Sequence, residues 1–566
     1  MGMLIIVFAV GVFAGAVQAE QPEATTTLGV LKGLNMETIS GRKFYGFQGV
    51  PYARPPIGKH RFKQSIPGTP WPGVLNATRL PNMCMQLKTE MFYKDSPFDV
   101  LGSEDCLYLN IYTPKLPSEL PDGKLLDVVF YIHGGAFQLM SGDFWGPKYI
   151  LDRDVVYVNF NYRLGLLGFL SLEDKSCPGN NGLKDQNLAL RWVNKHIAAF
   201  GGNPNSITIA GLSAGGASVH FQLLSPLSKG LFQKAISASG VVNNPWALTE
   251  NPRAKALVVA ESVGCPTTDS ILILECLRER TAEQLVISVK NLAIWQNLPI
   301  ASMGPVIEPT SATAFLDQPP NDVIQSKTFN DVPVIFSHTN DEGAFFANHL
   351  VGDPAAAQQL ETDWDKFAPI VYEMYDTVDS TNAQELLQLI RNEYLKGKNI
   401  TEGLVDFVRS VSDRWFLNGI REVAILHAQH QASPVYAYRF SYPGDDSFNM
   451  KALLKDVPDG GAPHGFDHSF LFNSPLSPDI HNFPEPLKMS QTMLDYYTDF
   501  ITQTPVPSWE TVKSGLPNFK FLDIVGPDPT KNAFKTEEPL ALKFWNSLKL
   551  QENAQAAINP TTHNEL

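Results

Sequence analysis

The sequence predicts an α/β fold, with a mostly parallel central sheet and helices on both faces. Three observations carry this reading. Short apolar, β-branched and aromatic runs recur at Asp127–His133, Val155–Phe160 and Ser206–Ala210. Between the last two lies Asp185–Phe200, whose apolar residues fall at helical spacing. Strand, helix, strand in that order implies parallel pairing, and the near-continuous apolar runs suit strands covered on both faces. Val332–Phe336 and Val435–Arg439 are predicted as later strands of the same sheet, and Asp406–Ala428 as a long helical region.

From the start of the chain, Met1–Val17 is mostly apolar and too short to span a bilayer comfortably. It ends at Val17-Gln18-Ala19, small residues suited to signal peptidase, so residues 1–19 are expected to be a cleaved signal. No other stretch approaches ~18 uninterrupted apolar residues, so no membrane span is expected. Residues 20–562 contain no linker tract and no fixed-period repeat, and read as one large domain with insertions. The formal net charge is −14, and no Lys/Arg cluster stands out. That balance argues against a nucleic-acid surface.

Secretory entry changes how the five cysteines read. Cys84 could pair locally with Cys106, and Cys265 with Cys276, leaving Cys177 free. Two sequons suit the same compartment, at Asn76 and Asn399; Asn559 is followed by Pro and should not be used.

Ser213 lies in Gly211-Leu212-Ser213-Ala214-Gly215, between the strand at 206–210 and a predicted helix at 216–224. Small residues on both sides let a serine take a strained turn that exposes its hydroxyl above a sheet. At ordinary Gly and Ser frequencies a chain of this length yields roughly 0.2 such pentapeptides by chance. The flanking strand and helix therefore carry the assignment. His133-Gly134-Gly135-Ala136-Phe137 closes the strand at 127–133. Its small residues let backbone N–H groups approach a substrate oxygen, where each well-aimed donor is worth ~3 kcal/mol once negative charge develops.

A serine hydroxyl needs a base, and on this kind of fold the chain order is serine, acid, histidine. Asn340-Asp341-Glu342-Gly343 follows the strand at 332–336 and offers two acids. Pro463-His464-Gly465-Phe466-Asp467-His468 offers two histidines. Composition does not choose within either pair. The flanking Pro and Gly favour His464, with His468 as a packed neighbour.

These residues resemble the type-B carboxylesterase and cholinesterase family, an α/β-hydrolase fold. Phe200–Gly216 (FGGNPNSITIAGLSAGG) is similar to its nucleophile signature, and Glu104–Asn110 (EDCLYLN) to its second signature. Phe47–Ala53, Asn161–Arg163 and Asn181–Gln186 are similar family stretches, so the resemblance covers nearly the whole mature chain. It implies Glu342 as the acid, His464 as the base, and the N–H groups of Gly135, Ala136 and Ala214 as oxyanion donors. It also implies pairing of Cys84 with Cys106 and of Cys265 with Cys276. Trp246 is implied as an acyl-pocket wall, and Arg163 with Asp185 as a buried structural ion pair. The general look is that of an arthropod carboxylesterase.

The chain departs from the pattern in three places. Ala136 stands where the oxyanion stretch has its third glycine; the donor is backbone, so activity is expected with a narrower acyl side. Leu212 precedes the nucleophile, where cholinesterases have Glu and juvenile hormone esterases Gln. The Cys84–Cys106 loop contains no Trp, which cholinesterases use for cation–π contact with a quaternary ammonium. The expected activity is therefore hydrolysis of neutral, fairly apolar small-molecule esters through an acyl-enzyme, with no metal or cofactor.

A juvenile hormone esterase-like substrate range is the alternative, weakened by Leu212. A non-catalytic adhesion protein on this fold would lack the nucleophile and add a transmembrane segment. A sequestering binder would show a burst without turnover. The sequence leaves the oligomeric state unspecified. His563-Asn564-Glu565-Leu566 differs by one residue from a His-Asp-Glu-Leu signal, so residues 563–566 are expected to retain the protein in the endoplasmic reticulum lumen, with secretion as the alternative.

Overall fold

The protein is described by a computed structural model. It covers residues 21–550 apart from 90–95, 98, 122, 345–352, 379, 445–460, 476, 504, 514–518, 539 and 549. The expected signal at 1–19 and the tail at 563–566 lie outside the described residues.

An eleven-stranded sheet organises the chain. Its strands are β1 (Leu34–Glu37), β2 (Lys43–Pro51), β3 (Tyr108–Thr113), β4 (Leu126–Ile132), β5 (Val155–Phe160), β6 (Gly202–Leu212), β7 (Lys234–Ala238), β8 (Val334–Thr339), β9 (Val435–Phe440), β10 (Phe519–Ile524) and β11 (Ala533–Glu537). Their order in space is β11-β10-β9-β8-β7-β6-β4-β5-β3-β2-β1. Every pair from β10 to β5 is parallel, and the pairs at both edges are antiparallel.

Strand periodicity explains the two cores. Along β4, Val128, Phe130 and Ile132 enter one apolar cluster, while Val129 and Tyr131 enter another on the opposite face. Both faces are covered, so every residue of β4 except half-buried Asp127 is buried.

The predicted strands all form; Val155–Phe160 has its predicted ends and the others shift. The run read as Ser206–Ala210 lies within a longer β6, and that read as Val332–Phe336 starts and ends later in β8. The predicted helix at 185–200 is α1 (Asn181–His196) followed by a 3-10 turn, and the helix after Ser213 is α2 (Ala214–Leu224). The long helical region is α3 (Leu404–Ser412), a π-turn at Asp413–Leu417, then α4 (Asn418–His430). Strand β7 carries no sequence signal of its own. Lys-Ala-Ile-Ser-Ala contains one β-branched residue, and its place comes from β6 and β8 pairing on either side.

Candidate active site

Five strands that lie side by side (β9, β8, β7, β6 and β4) deliver the candidate residues from their C-terminal ends. Ser213 follows β6 with φ 62° and ψ −126°, a backbone state that L-residues rarely occupy. The state is over-determined by its neighbours. The Ser213 N–H donates to the Ala238 carbonyl at 2.8 Å, and its own carbonyl accepts from Ala217 at 2.8 Å. The flanking glycines are sterically required. A β-carbon on Gly215 would lie 2.1 Å from the Ile132 carbonyl oxygen, and one on Gly240 would lie 2.0 Å from that of Ser213.

The loop after β4 supplies the candidate oxyanion donors. The buried His133 ring lies with Nδ1 at 2.9 Å from the Gly134 carbonyl oxygen, so Nδ1 carries the proton and donates. Burial pushes this histidine down to about 4, which keeps it neutral. Because the 134–135 peptide is trans, fixing the Gly134 carbonyl also fixes the Gly135 N–H in the opposite direction. Gly135 has φ 96° and Ala136 φ 53°. Among the described residues, no acceptor is bonded to the N–H groups of Gly135, Ala136 or Ala214. Ala214 opens α2, where intrahelical partners do not exist.

Glu342 lies beyond β8 and is fully buried. Its Oε2 is 2.5 Å from Nδ1 of His464, whose side chain is 14% exposed. Its Oε1 accepts from the Thr339 N–H at 2.7 Å and from the Ser239 hydroxyl at 2.5 Å. Asp341 has a different task. Its carboxylate accepts from the Gly461 N–H at 2.5 Å, and Asn340 accepts from the Ala462 N–H at 2.8 Å. Burial pushes the Asp341 carboxyl up, against that hydrogen bond. The pair therefore ties the loop before His464 to the loop after β8. His468 is fully buried with Nδ1 3.0 Å from Asp467 and its ring against Tyr131, Trp145 and Phe472. Of the two histidines, the structure brings His464 to the acid.

Trp246 is 3% exposed, and its indole N–H donates to the Trp415 carbonyl at 2.8 Å. Its ring lies 6.4 Å from Phe137 and 5.8 Å from Phe416, and the Phe416 ring lies 4.7 Å from that of His464. Trp415 and Phe416 sit in the π-turn, which interrupts the helical register. Sequence reasoning passed over Ser239 and Phe416 and gave Phe137 no role of its own. Ser239 was findable as the residue after β7, the strand beside β6; the π-turn leaves no mark in the apolar spacing.

The predicted ion pair and both predicted disulfides are present. Asp185 accepts from Nε and Nη2 of Arg163, both at 2.7 Å, and neither side chain is more than 4% exposed. Cys84 is bonded to Cys106 and Cys265 to Cys276, while Cys177 is free and buried. Asn76 is exposed and Asn399 half-buried. No helix among the described residues is long and apolar enough to cross a membrane.

A model of the carboxylesterase family matches residues 20–545. Esterase FE4 of Myzus persicae is 38% identical over 524 residues, spanning 91% of this chain and 90% of that protein. Venom carboxylesterase-6 of Apis mellifera is 36% identical over 94% of this chain and 95% of its own. Juvenile hormone esterase of Tribolium castaneum is 34% identical over 94% of each. The crystal structure of juvenile hormone esterase from Manduca sexta, with OTFP covalently attached, superposes with a TM-score of 0.82 at 29% identity. It covers 94% of this chain and 100% of that one.

Proposed function

The chain belongs to the carboxylesterase family and is a carboxylic ester hydrolase, and we propose that Ser213, His464 and Glu342 carry its chemistry. The observation that carries this reading is the 2.5 Å contact between Glu342 and His464 Nδ1, taken with the strained backbone of Ser213 in the turn after β6. In the first step His464 takes the Ser213 proton as the oxygen attacks the ester carbonyl. Glu342 holds the imidazole in the tautomer that carries its proton on Nδ1, so that Nε2 can accept, and it stabilises the charged ring that forms. The N–H groups of Gly135, Ala136 and Ala214 receive the charge on the carbonyl oxygen. The alcohol leaves with the proton from His464, and water then attacks the acyl-enzyme by the same route.

Neutral, fairly apolar acyl groups are the substrates that this site favours. The Trp246, Phe137 and Phe416 rings lie against one another as an apolar acyl wall beside His464. An aryl phosphate triester should stop turnover at one equivalent, with the phosphoryl adduct found by peptide mass analysis on Ser213. An adduct elsewhere, with turnover equally blocked, contradicts the nucleophile assignment.

The two disulfides fit the secretory pathway. Within it we read Asn76 and Asn399 as glycan sites and His563-Asn564-Glu565-Leu566 as a retention tail. Deleting the four residues should raise secretion; unchanged secretion removes the tail from the account.

A further inference from the structure

Leu212 stands where the family resemblance gives cholinesterases Glu and juvenile hormone esterases Gln, yet it is only 6% exposed and packs into an apolar cluster on one face of the sheet. Its contacts fall on both loops that flank Ser213. A β-carbon on Gly465 would come within 2.9 Å of Leu212 Cδ2, and one on Gly134 within 2.6 Å of the Leu212 carbonyl oxygen. Gly465 directly follows His464 and has φ 76°, opening the 3-10 turn at Phe466–Phe470. The Leu212 methyl thus lies in van der Waals contact with the backbone that carries the base. Its own backbone is held by β7 and β4, since Leu212 pairs with Ala238 and Gly211 with Ile132.

We propose that Leu212 is a positioning residue: it sets the height of the His464 loop over Ser213 through its δ-methyl on Gly465, and does not act as a wall of the substrate pocket. The inference rests on the assignment of Ser213 and His464 above. The loop has two supports that act in different directions. Asn340 and Asp341 hold residues 461 and 462 from the side of β8, and Leu212 holds residue 465 from beneath. With the second removed, the imidazole tilts on a hinge at 461–462 while the acyl wall stays in place. Misplacing a catalytic group by about 1 Å costs up to ~100-fold in rate.

The test is Leu212→Ala assayed on aryl acetate, butyrate and octanoate, with folded enzyme counted by a phosphorylating titrant. Per titrated site, kcat should fall by roughly 10- to 100-fold, by the same factor for all three esters. KM should stay within about twofold. Leu212→Met should restore most of the rate. Gly465→Ala collides with Leu212, so Leu212→Ala/Gly465→Ala should lose less than the two single losses combined. Acyl-length-dependent changes would make Leu212 a pocket wall; an unchanged kcat per site or an additive cycle would make it ordinary core. Each overturns the proposal. Should Leu212→Ala not fold, Leu212→Val carries the same comparison. A Ser213→Ala enzyme that kept full turnover would instead remove the assignment on which the inference rests.

Discussion

Glu342 offers its two oxygens to different partners: Oε2 meets His464 Nδ1 at 2.5 Å, while Oε1 takes two donors, the Thr339 N–H and the Ser239 hydroxyl. This asymmetry makes the acid position unusually sensitive to a neutral substitution.

In Glu342→Gln the amide oxygen should stay on the side of Thr339 and Ser239, because an NH2 group there would face the Thr339 N–H, which can only donate. The amide NH2 then faces His464 Nδ1, which must accept, and the proton moves to Nε2, where it blocks uptake from Ser213. A wrong tautomer of this kind costs ~10⁴-fold in kcat. Hydrolysis of an aryl acetate, with circular dichroism to show the fold intact, checks this. A loss below about tenfold would mean that Glu342 does not orient the base.

Ala136 occupies φ 53°, where a glycine would be relaxed. Ala136→Gly should raise the unfolding free energy by about 1 kcal/mol, since the strained conformation outweighs the added chain entropy. It should also speed hydrolysis of longer acyl esters relative to acetate, because the β-carbon narrows that side. Thermal unfolding and an acyl-length series measure the two effects, and a fall in stability contradicts the strain argument.

Acid sensitivity should come in part from a buried histidine pair. The Val242 N–H donates to His220 Nδ1 at 3.3 Å, so His220 Nε2 holds the proton and donates to His427 Nε2 at 2.9 Å. The His427 Nδ1–H then donates to Gln431 at 2.8 Å. Every ring nitrogen is used, and an added proton breaks the chain. Burial pushes His427 down to about 4 and His220 well below its ordinary value, with nearby His430 adding to the effect on His427 and Asp331 opposing it.

Both groups bind protons more tightly in the unfolded chain. Their stabilising effect is therefore complete above the unfolded value of ~6.5 and is lost as pH falls towards about 4. Against His427→Gln, the wild-type protein should lose about 1.4 kcal/mol of stability per pH unit across that window. Parallel denaturation curves at pH 7 and pH 5 measure the difference. A pH-independent difference contradicts the neutral assignment.

The legible parts of the fold were those set by local pattern. The strands β4 and β5 are near-continuous apolar runs covered on both faces, β6, β8 and β9 contain shorter apolar or aromatic runs, and the glycines around Ser213 and Gly135 mark close backbone approaches. Strand β7 and Ser239 stayed hidden, because a five-residue central strand draws its stability from its neighbours, not from its own propensity. The choice between Asp341 and Glu342 also depended on three dimensions. Adjacent carboxylates point different ways from one loop, and only the path of residues 461–464 shows which one meets the imidazole. Phe416 depended on the π-turn, which changes which face of a helix a residue occupies.

The most direct measurement is the turnover of Ser213→Ala on a simple aryl ester, with thermal unfolding to show that the variant is folded. The nucleophile role of Ser213 requires a fall in kcat of at least ~10³-fold, because the oxyanion donors and substrate binding remain while the attacking oxygen is gone. Retention of wild-type turnover by a folded Ser213→Ala protein would contradict it.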